Sequence, residues 1–378
     1  MSVVPGAQEI VICENVYNEL HSGTLRERLQ DPSLGEGTIT LIIRDPNITI
    51  IGDMNLNFRD REEAPLYRCK SLLRVDLKGC TKLTQMGDRV FYNCFSLTSV
   101  SLPDGLTQLG DGVFCGCSSL TSVSLPDGLT QLGDGVFECC SSLTSVALPD
   151  GLTQLGDWMF CECSSLTSVS LPDGLTQLGN KVFRGCFSLT SVSLPDGLTK
   201  MGDRVFRGCS SLTSVALPDG VTQLGDFVFY RCPFLTSVTL PDGLTKMGDR
   251  VFRGCSSLTS VALPDGLTQL GDNVFDGCTY LTSAANSAGF DTVELYLRDR
   301  YKCVTLRKLF LRLFGKYNRA VNEANGTEAE KHAIAFANFP TRRFTRKNAL
   351  DIRLFLQTMN ASGGNGIEGL VGYILTFV

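Results

Sequence analysis

Sixteen cysteines, two histidines and 39 acidic residues are the groups that could do chemistry in this 378-residue chain. Eight cysteines form one column at a strict interval of 23: Cys117, Cys140, Cys163, Cys186, Cys209, Cys232, Cys255 and Cys278. Cys115, Cys139 and Cys161 fall outside that column, on three successive copies, close to Cys117, Cys140 and Cys163. That crowding approaches metal-ligand spacing, but C-x-C and C-C pairs without a second fixed pair are not a zinc signature. If exposed, the same thiols would be redox-labile, so a redox- or metal-responsive thiol protein is one alternative. The ordinary role of such a column is a small buried hydrophobe. His21 and His332 lie in opposite terminal regions with no paired nucleophile motif, and no phosphate-binding loop, dinucleotide fingerprint or HExxH is present. The acidic columns of Asp104 and Asp111 recur in every copy beside glycine, as turn residues do. These residues predict no catalytic group, no metal site and no cofactor, and therefore not an enzyme.

The elements that carry these columns are set by the repeat. Phe95–Cys117 recurs as Ser118–Cys140 and continues without a slip to Cys278, giving eight copies. Phenylalanine falls at 114, 137, 160, 183, 206, 229, 252 and 275. A period of this length means stacked structural units rather than an ordinary globular core. Within one unit, Leu97-x-x-Val100-x-Leu102 suits a short strand with one buried side. Pro103-Asp104-Gly105 is a turn, Leu106–Leu109 a second short segment, and Gly110-Asp111 its corner. Val113, Phe114 and Cys117 point inward again. No stretch has room for a three-turn helix, so the outer side is expected to be extended or 3₁₀-like. The predicted fold is a mainly β solenoid, with a small α-helical region at its C-terminal side.

Atypical units are expected at the ends of such a stack. Ser71–Cys94 reads as a divergent coil, and Ile39–Leu56 as a degenerate one, because Ile48–Asp53 echoes Leu106–Asp111. A charged insertion, Asn57–Arg68, separates them. Thr279–Ala284 begins another regular coil and abandons it. The expected division is therefore an N-terminal cap over 1–70, a solenoid over 71–284 and a helical region over 285–378.

At these residues the sequence resembles a known family. The unit C-x-x-L-x-x-V-x-L-P-x-x-L-x-x-L-x-x-x-V-F is similar to the BspA-like leucine-rich repeat, and Ser71–Gly87 resembles the cysteine-containing repeat type. The resemblance implies a right-handed solenoid and a role in protein–protein or surface recognition, with no shared catalytic residue. It also carries a further alternative, a cell-surface adhesion or recognition protein.

Two columns vary while the rest of the unit does not. One reads Arg89, Gly112, Gly135, Trp158, Lys181, Arg204, Phe227, Arg250, Asn273. The other, three residues on, reads Tyr92, Cys115, Glu138, Cys161, Arg184, Arg207, Tyr230, Arg253, Asp276. They share a corner and form one strip. Arginine, tyrosine and tryptophan dominate binding hot spots, so Trp158, Lys181, Arg184, Arg204, Arg207, Phe227, Tyr230, Arg250 and Arg253 are the candidate partner-binding residues. The Ser/Thr/Ala column of the strand side, Ser101 to Ala262, is small and uniform and offers little to recognise.

Residues 279–378 carry 14 basic and 8 acidic side chains on a chain of net charge −5. Leu306, Leu309, Phe310, Leu313, Phe314 and Tyr317 mark an amphipathic helix with basic residues on its other side, and Asn348–Met359 a second helix. These cap the stack, dock on a partner, or touch an anionic membrane surface peripherally. The N-terminal residues lack a signal-peptide pattern and no apolar run is long enough to span a bilayer. The expectation is a cytoplasmic module that binds a protein partner and not nucleic acid, with the cell surface as the alternative location.

Overall fold

The computed structural model describes residues 72–298 continuously, together with the strands Ala7–Ile12, Glu19–Leu20, Thr38–Ile43 and Ile50–Ile51. The sequence-predicted insertion, the helices over 306–317 and 348–359, and both histidines lie outside these residues. Met1–Glu294 forms one compact unit and Leu295–Val378 another.

Each coil has three sides. The first carries a short strand such as Ser99–Ser101, whose central Val100 is buried while its neighbours face outward. Leu106 N–H closes the Pro-Asp-Gly turn on the Pro103 carbonyl at 3.2 Å. The second side carries a two-residue strand, Gln108–Leu109. Equivalent strands pair in parallel and in register, as in Gln108↔Gln131 and Val146↔Val169. Gly110 follows because a Cβ there would lie 2.7 Å from the Gly87 carbonyl carbon and 2.8 Å from Asp88 N. The third side, residues 111–117 in this coil, is a chain of tight turns closed by 3₁₀-type hydrogen bonds, Cys115 N–H on Gly112 O and Cys117 N–H on Phe114 O, both at 3.0 Å.

That third side is the most continuous. At the junction of Arg204's coil with the next, Arg204, Phe206 and Gly208 donate N–H to Asp226, Val228 and Tyr230 at 2.8, 2.9 and 2.8 Å. The same three rungs recur at every junction from Arg89 to Asp276. The strand ladders are interrupted by comparison: the second runs Glu19 to Leu132, Gln154 to Met201 and Gln223 to Leu270. Clefts of about 540 and 620 Å³ open at those two interruptions, lined chiefly by glutamine, threonine and glycine.

Inside the stack, Phe91 joins the eight repeat phenylalanines in one column of parallel rings, 5.4–5.7 Å apart. Each ring is fully buried or nearly so, a contribution of about 1.5–3 kcal/mol apiece by area burial alone. Beside them Cys117 Sγ donates to the Phe91 carbonyl at 3.1 Å, and this bond repeats down to Cys278 and Phe252.

Two end features differ from the sequence-based expectation. Thr279–Ser287 is a helix from its first residue, here α1, and not a truncated coil. Ala284 stands where the coil has valine, and Asn286-Ser287 where it has Leu-Pro, so a strand former and the helix-breaking proline are both gone, which favours helix. Gly289 in the left-handed region then ends it, with Phe290 N–H on Ala285 O and Gly289 N–H on Asn286 O, a Schellman arrangement. Upstream, Ile50–Ile51 pairs with Gln85–Met86, the register that the Ile48–Asp53 echo implies. A further pair of strands, Ala7–Ile12 and Glu19–Leu20, extends both ladders by one more coil. The sequence lacked any repeat signature for it.

Candidate functional site

The two variable columns are the ends of one β-turn. Arg207 N–H donates to Arg204 O at 3.2 Å, Tyr230 to Phe227 at 3.1 Å and Arg253 to Arg250 at 3.2 Å. The intervening Val205 and Phe206 are buried, so the turn sends its middle inward and its ends outward. This is the corner the sequence assigned to the strip.

The backbone adds what residue types did not reveal. Every residue of the Arg204 column has positive φ: Trp158 at 56°, Lys181, Arg204 and Phe227 at 58°, Arg250 at 53°. A side chain in that region costs roughly 1–2 kcal/mol relative to a right-handed residue, which is why glycine is the default there. Only Gly112 and Gly135 take that default. Crowding does not explain the choice, since a Cβ on Gly112 would meet nothing closer than 3.5 Å. Bulky side chains are therefore held in this column against a local preference, and strain of this kind concentrates at functional surfaces.

Those side chains form a half-buried aromatic–cation layer. Lys181 Nζ stands 4.9 Å from the Trp158 ring. Phe227 lies between Arg204 and Arg250, whose guanidinium carbons are 4.9 and 5.4 Å from its centroid. Tyr230 is contacted by Arg207 and Arg231, both at 5.3 Å, and meets Phe227 edge-on at 5.6 Å. At the margins Arg184 pairs with Glu162 at 3.1 Å and Arg253 with Asp276 at 2.9 Å. Lys181, Arg204, Arg207, Arg231 and Arg250 have no carboxylate partner among the described residues, and Arg250 Nε is buried without a hydrogen bond.

The neighbouring aspartates do not neutralise them. Asp203 Oδ1 accepts the Asp226 N–H, and Asp226 Oδ1 the Asp249 N–H, both at 2.9 Å, so these carboxylates face along the stack. Sequence reasoning missed Arg231. It stands in a second left-handed column, where five coils carry glycine at 116, 185, 208, 254 and 277. A departure from that glycine was the available signal.

The thiols are a different matter. Burial pushes Cys117, Cys140, Cys163, Cys186 and Cys209 far above the usual thiol range. Burial also lifts Cys161 to about 11, against the hydrogen bond and charge of Arg184. Cys139 is exposed, yet partial burial and then Glu138 and Glu162 raise it too. A thiol held protonated is a poor nucleophile and metal ligand. Among the described residues no group of three or more His, Cys, Asp or Glu side chains could hold a metal ion. No helix among them is long and apolar enough to cross a membrane.

Short parallel strands stacked in register over a buried leucine, valine and phenylalanine column define a leucine-rich-repeat solenoid. The family model for the BspA type leucine rich repeat region matches residues 84–211 and 176–297, more than half of the chain, and the chain belongs to that family. Among solved structures it is similar to a leucine-rich repeat protein from Bacteroides ovatus ATCC 8483, at 24% identity over 62% of this chain and 81% of that one, TM-score 0.33. It is also similar to the leucine-rich repeat protein of T. pallidum, at 27% identity over 58% and 84%, TM-score 0.30. A leucine rich cell surface protein from Faecalibacterium prausnitzii A2-165 is 19% identical over 70% and 87%, TM-score 0.31. No curated protein matches the chain.

Proposed function

We propose that this chain is a non-enzymatic protein-interaction module. Its binding surface is the strip Trp158, Lys181, Arg184, Arg204, Arg207, Phe227, Tyr230, Arg250 and Arg253, extended by Arg231. One observation carries the reading: large aromatic and cationic side chains occupy a left-handed column where glycine is easier, and Lys181, Arg204 and Arg250 in it have no carboxylate partner among the described residues. Neither folding nor core packing needs them there. Aromatic and arginine groups on a rigid backbone are what a protein hot spot uses.

The test is partner capture from the source cells with tagged full-length protein. Arg204→Glu, Arg207→Glu, Arg250→Glu and Arg253→Glu together are expected to abolish capture while the melting temperature stays close to wild type. Reversal of Arg307, Lys308, Arg312 and Lys316 serves as the comparison. Undiminished capture by the folded strip variant, with loss in the comparison, would move the surface to the basic C-terminal segment.

A further inference from the structure

We infer that the strip receives an acidic amphipathic helix of a partner protein, lying along the stack axis over Arg204, Phe227 and Arg250. This rests on the strip being the binding surface and names the chemistry that fits it. Charge comes first. Arg204, Arg207, Arg231 and Arg250 surround two rings and have no carboxylate partner among the described residues. Contact with a ring engages a guanidinium without using its N–H groups, which are the part that grips a carboxylate two at a time. Half-burial of Arg204, Arg207 and Arg250 also makes an added carboxylate worth more than on an open surface.

Apolar surface comes second. Phe227 and Tyr230 lie among the arginines, and Phe187 and Phe234 stand 48% and 62% exposed. Phe187 is on the same side, its Cε1 4.0 Å from where a Cβ on Gly208 would lie, one coil before Arg231. A ligand must therefore offer acidic and apolar groups side by side. A uniform polyanion fits worse. Asp203, Asp226 and Asp249 precede Arg204, Phe227 and Arg250, so a continuous line of negative charge along the stack would run beside a row of like charges without a cation at every coil.

Spacing selects the helix. Successive coils are near copies, so the separation of equivalent rings is the local repeat distance: 5.5 Å from Phe183 to Phe206, and 5.4 Å from Phe206 to Phe229 and from Phe229 to Phe252. An α-helix rises about 5.4 Å per turn, whereas same-face side chains of a strand are about 6.6–6.8 Å apart. A helix laid along the axis thus presents one side chain per turn to one coil after another without drifting out of step. From Phe183 to Phe252 the strip runs about 16 Å, roughly eleven residues of helix. Along one ridge glutamates meet Arg204 and Arg250 with a leucine over Phe227 between them, and on the adjacent ridge a glutamate meets Arg207 and a leucine Tyr230, the helix-on-groove mode of recognition.

The experiment uses the full chain and fluorescein-labelled synthetic peptides of roughly 16 residues, long enough for an alanine-rich helix to form. The first alternates glutamate and leucine turn by turn along each of two adjacent ridges. The second has the same residues with proline at its centre. The third is a scramble of equal composition. The first should bind, and the other two about tenfold more weakly or less. Arg204→Gly with Arg250→Gly should weaken the first about tenfold, a usual hot-spot loss, without lowering the melting temperature. Equal binding of the proline or scrambled peptide, absence of binding by the first, or preference for a sulfated polysaccharide each overturns the proposal. If cellular capture depends on the strip but the helical peptide does not compete, the helix is wrong and the surface stands. If capture ignores the strip, both fall.

Discussion

The side-chain amide of Asn180 donates to both carboxylate oxygens of Asp157, at 3.2 and 3.1 Å, and its own Oδ1 accepts the Asp203 N–H at 2.8 Å. In the other coils from Asp88 to Asp272 an aspartate holds this place, so like charges sit one coil apart. Asp134 feels it: burial, and then Asp111 and Asp157, raise its carboxyl above the ordinary range, opposed by the Asp157 N–H. A raised folded-state value favours the protonated form. Its stabilisation is present below the unfolded carboxyl pKa of about 3.9 and is lost as pH rises through the folded value. Asp134→Asn, which keeps the acceptor and adds a donor toward Asp111, should therefore melt higher than wild type at neutral pH. The screened site makes the gain small, on the order of 1 °C. Circular dichroism melts at pH 7 and in acid check it: the gain should disappear in acid, and an equal gain at both would discard charge as the cause.

Phe206 is stacked on both sides, at 5.5 and 5.4 Å, and fully buried. Phe206→Ala should cost about 3–5 kcal/mol. Arg204, two residues away, is half-buried at φ 58°. Arg204→Gly should stay within about 0.5 kcal/mol of wild type or improve on it, because relief of the left-handed strain offsets the lost ring contact. Denaturant titration of both variants compares them directly, and equal losses would mean that the inner and outer columns are misread.

Deletion of one whole coil, Ser118–Cys140, should leave a folded, shorter stack. The new junction sets Cys117 before Ser141, with the same three rungs on the turn side, and stability in such stacks is nearly a sum of neighbour terms. The deleted coil carries Gly135 and none of the strip, so partner capture should survive as well. Removing ten residues from the same place shifts every column and should abolish soluble expression.

Thiol chemistry should single out Cys139. It is exposed, while Cys117, Cys140 and Cys163 are buried and donate to phenylalanine carbonyls. Maleimide at neutral pH should label Cys139 first among these four, and more slowly than an unperturbed thiol because its pKa is raised. Peptide mapping after brief exposure reads the order directly. Fast labelling of the column thiols would mean that the stack opens far more readily than its packing implies.

The parts of this architecture legible in the sequence are those in which residue type and conformation are coupled. Phenylalanine every 23 residues gave the ring column, and Ile48–Asp53 gave the pairing of Ile50–Ile51 with Gln85–Met86. The strip's corner was legible because Val205 and Phe206 must turn inward. Its left-handed backbone was not, since only Gly112 and Gly135 betray a positive φ by residue type. Arg231 differs, because five glycines mark its column and its departure from them was a legible signal. The coil built on Ala7–Ile12 and Glu19–Leu20 was invisible because pairing by backbone hydrogen bonds asks little of side chains. The helix at Thr279–Ser287 turned on Ala284 replacing a valine and Asn286-Ser287 replacing the Leu-Pro step, a local choice that a strict period hides.

The left-handed column also bears on how such a molecule changes over generations. Three backbone rungs per junction fix the conformation there whatever side chain is present, as glycine, tryptophan, lysine, arginine and phenylalanine in successive or nearby coils attest. The column behaves as a line of type set in a rigid frame, one letter per coil. A single base change rewrites a letter without disturbing the frame, and unequal exchange between near-identical units lengthens or shortens the line by whole letters. New recognition can arise here without any new solution to the problem of folding.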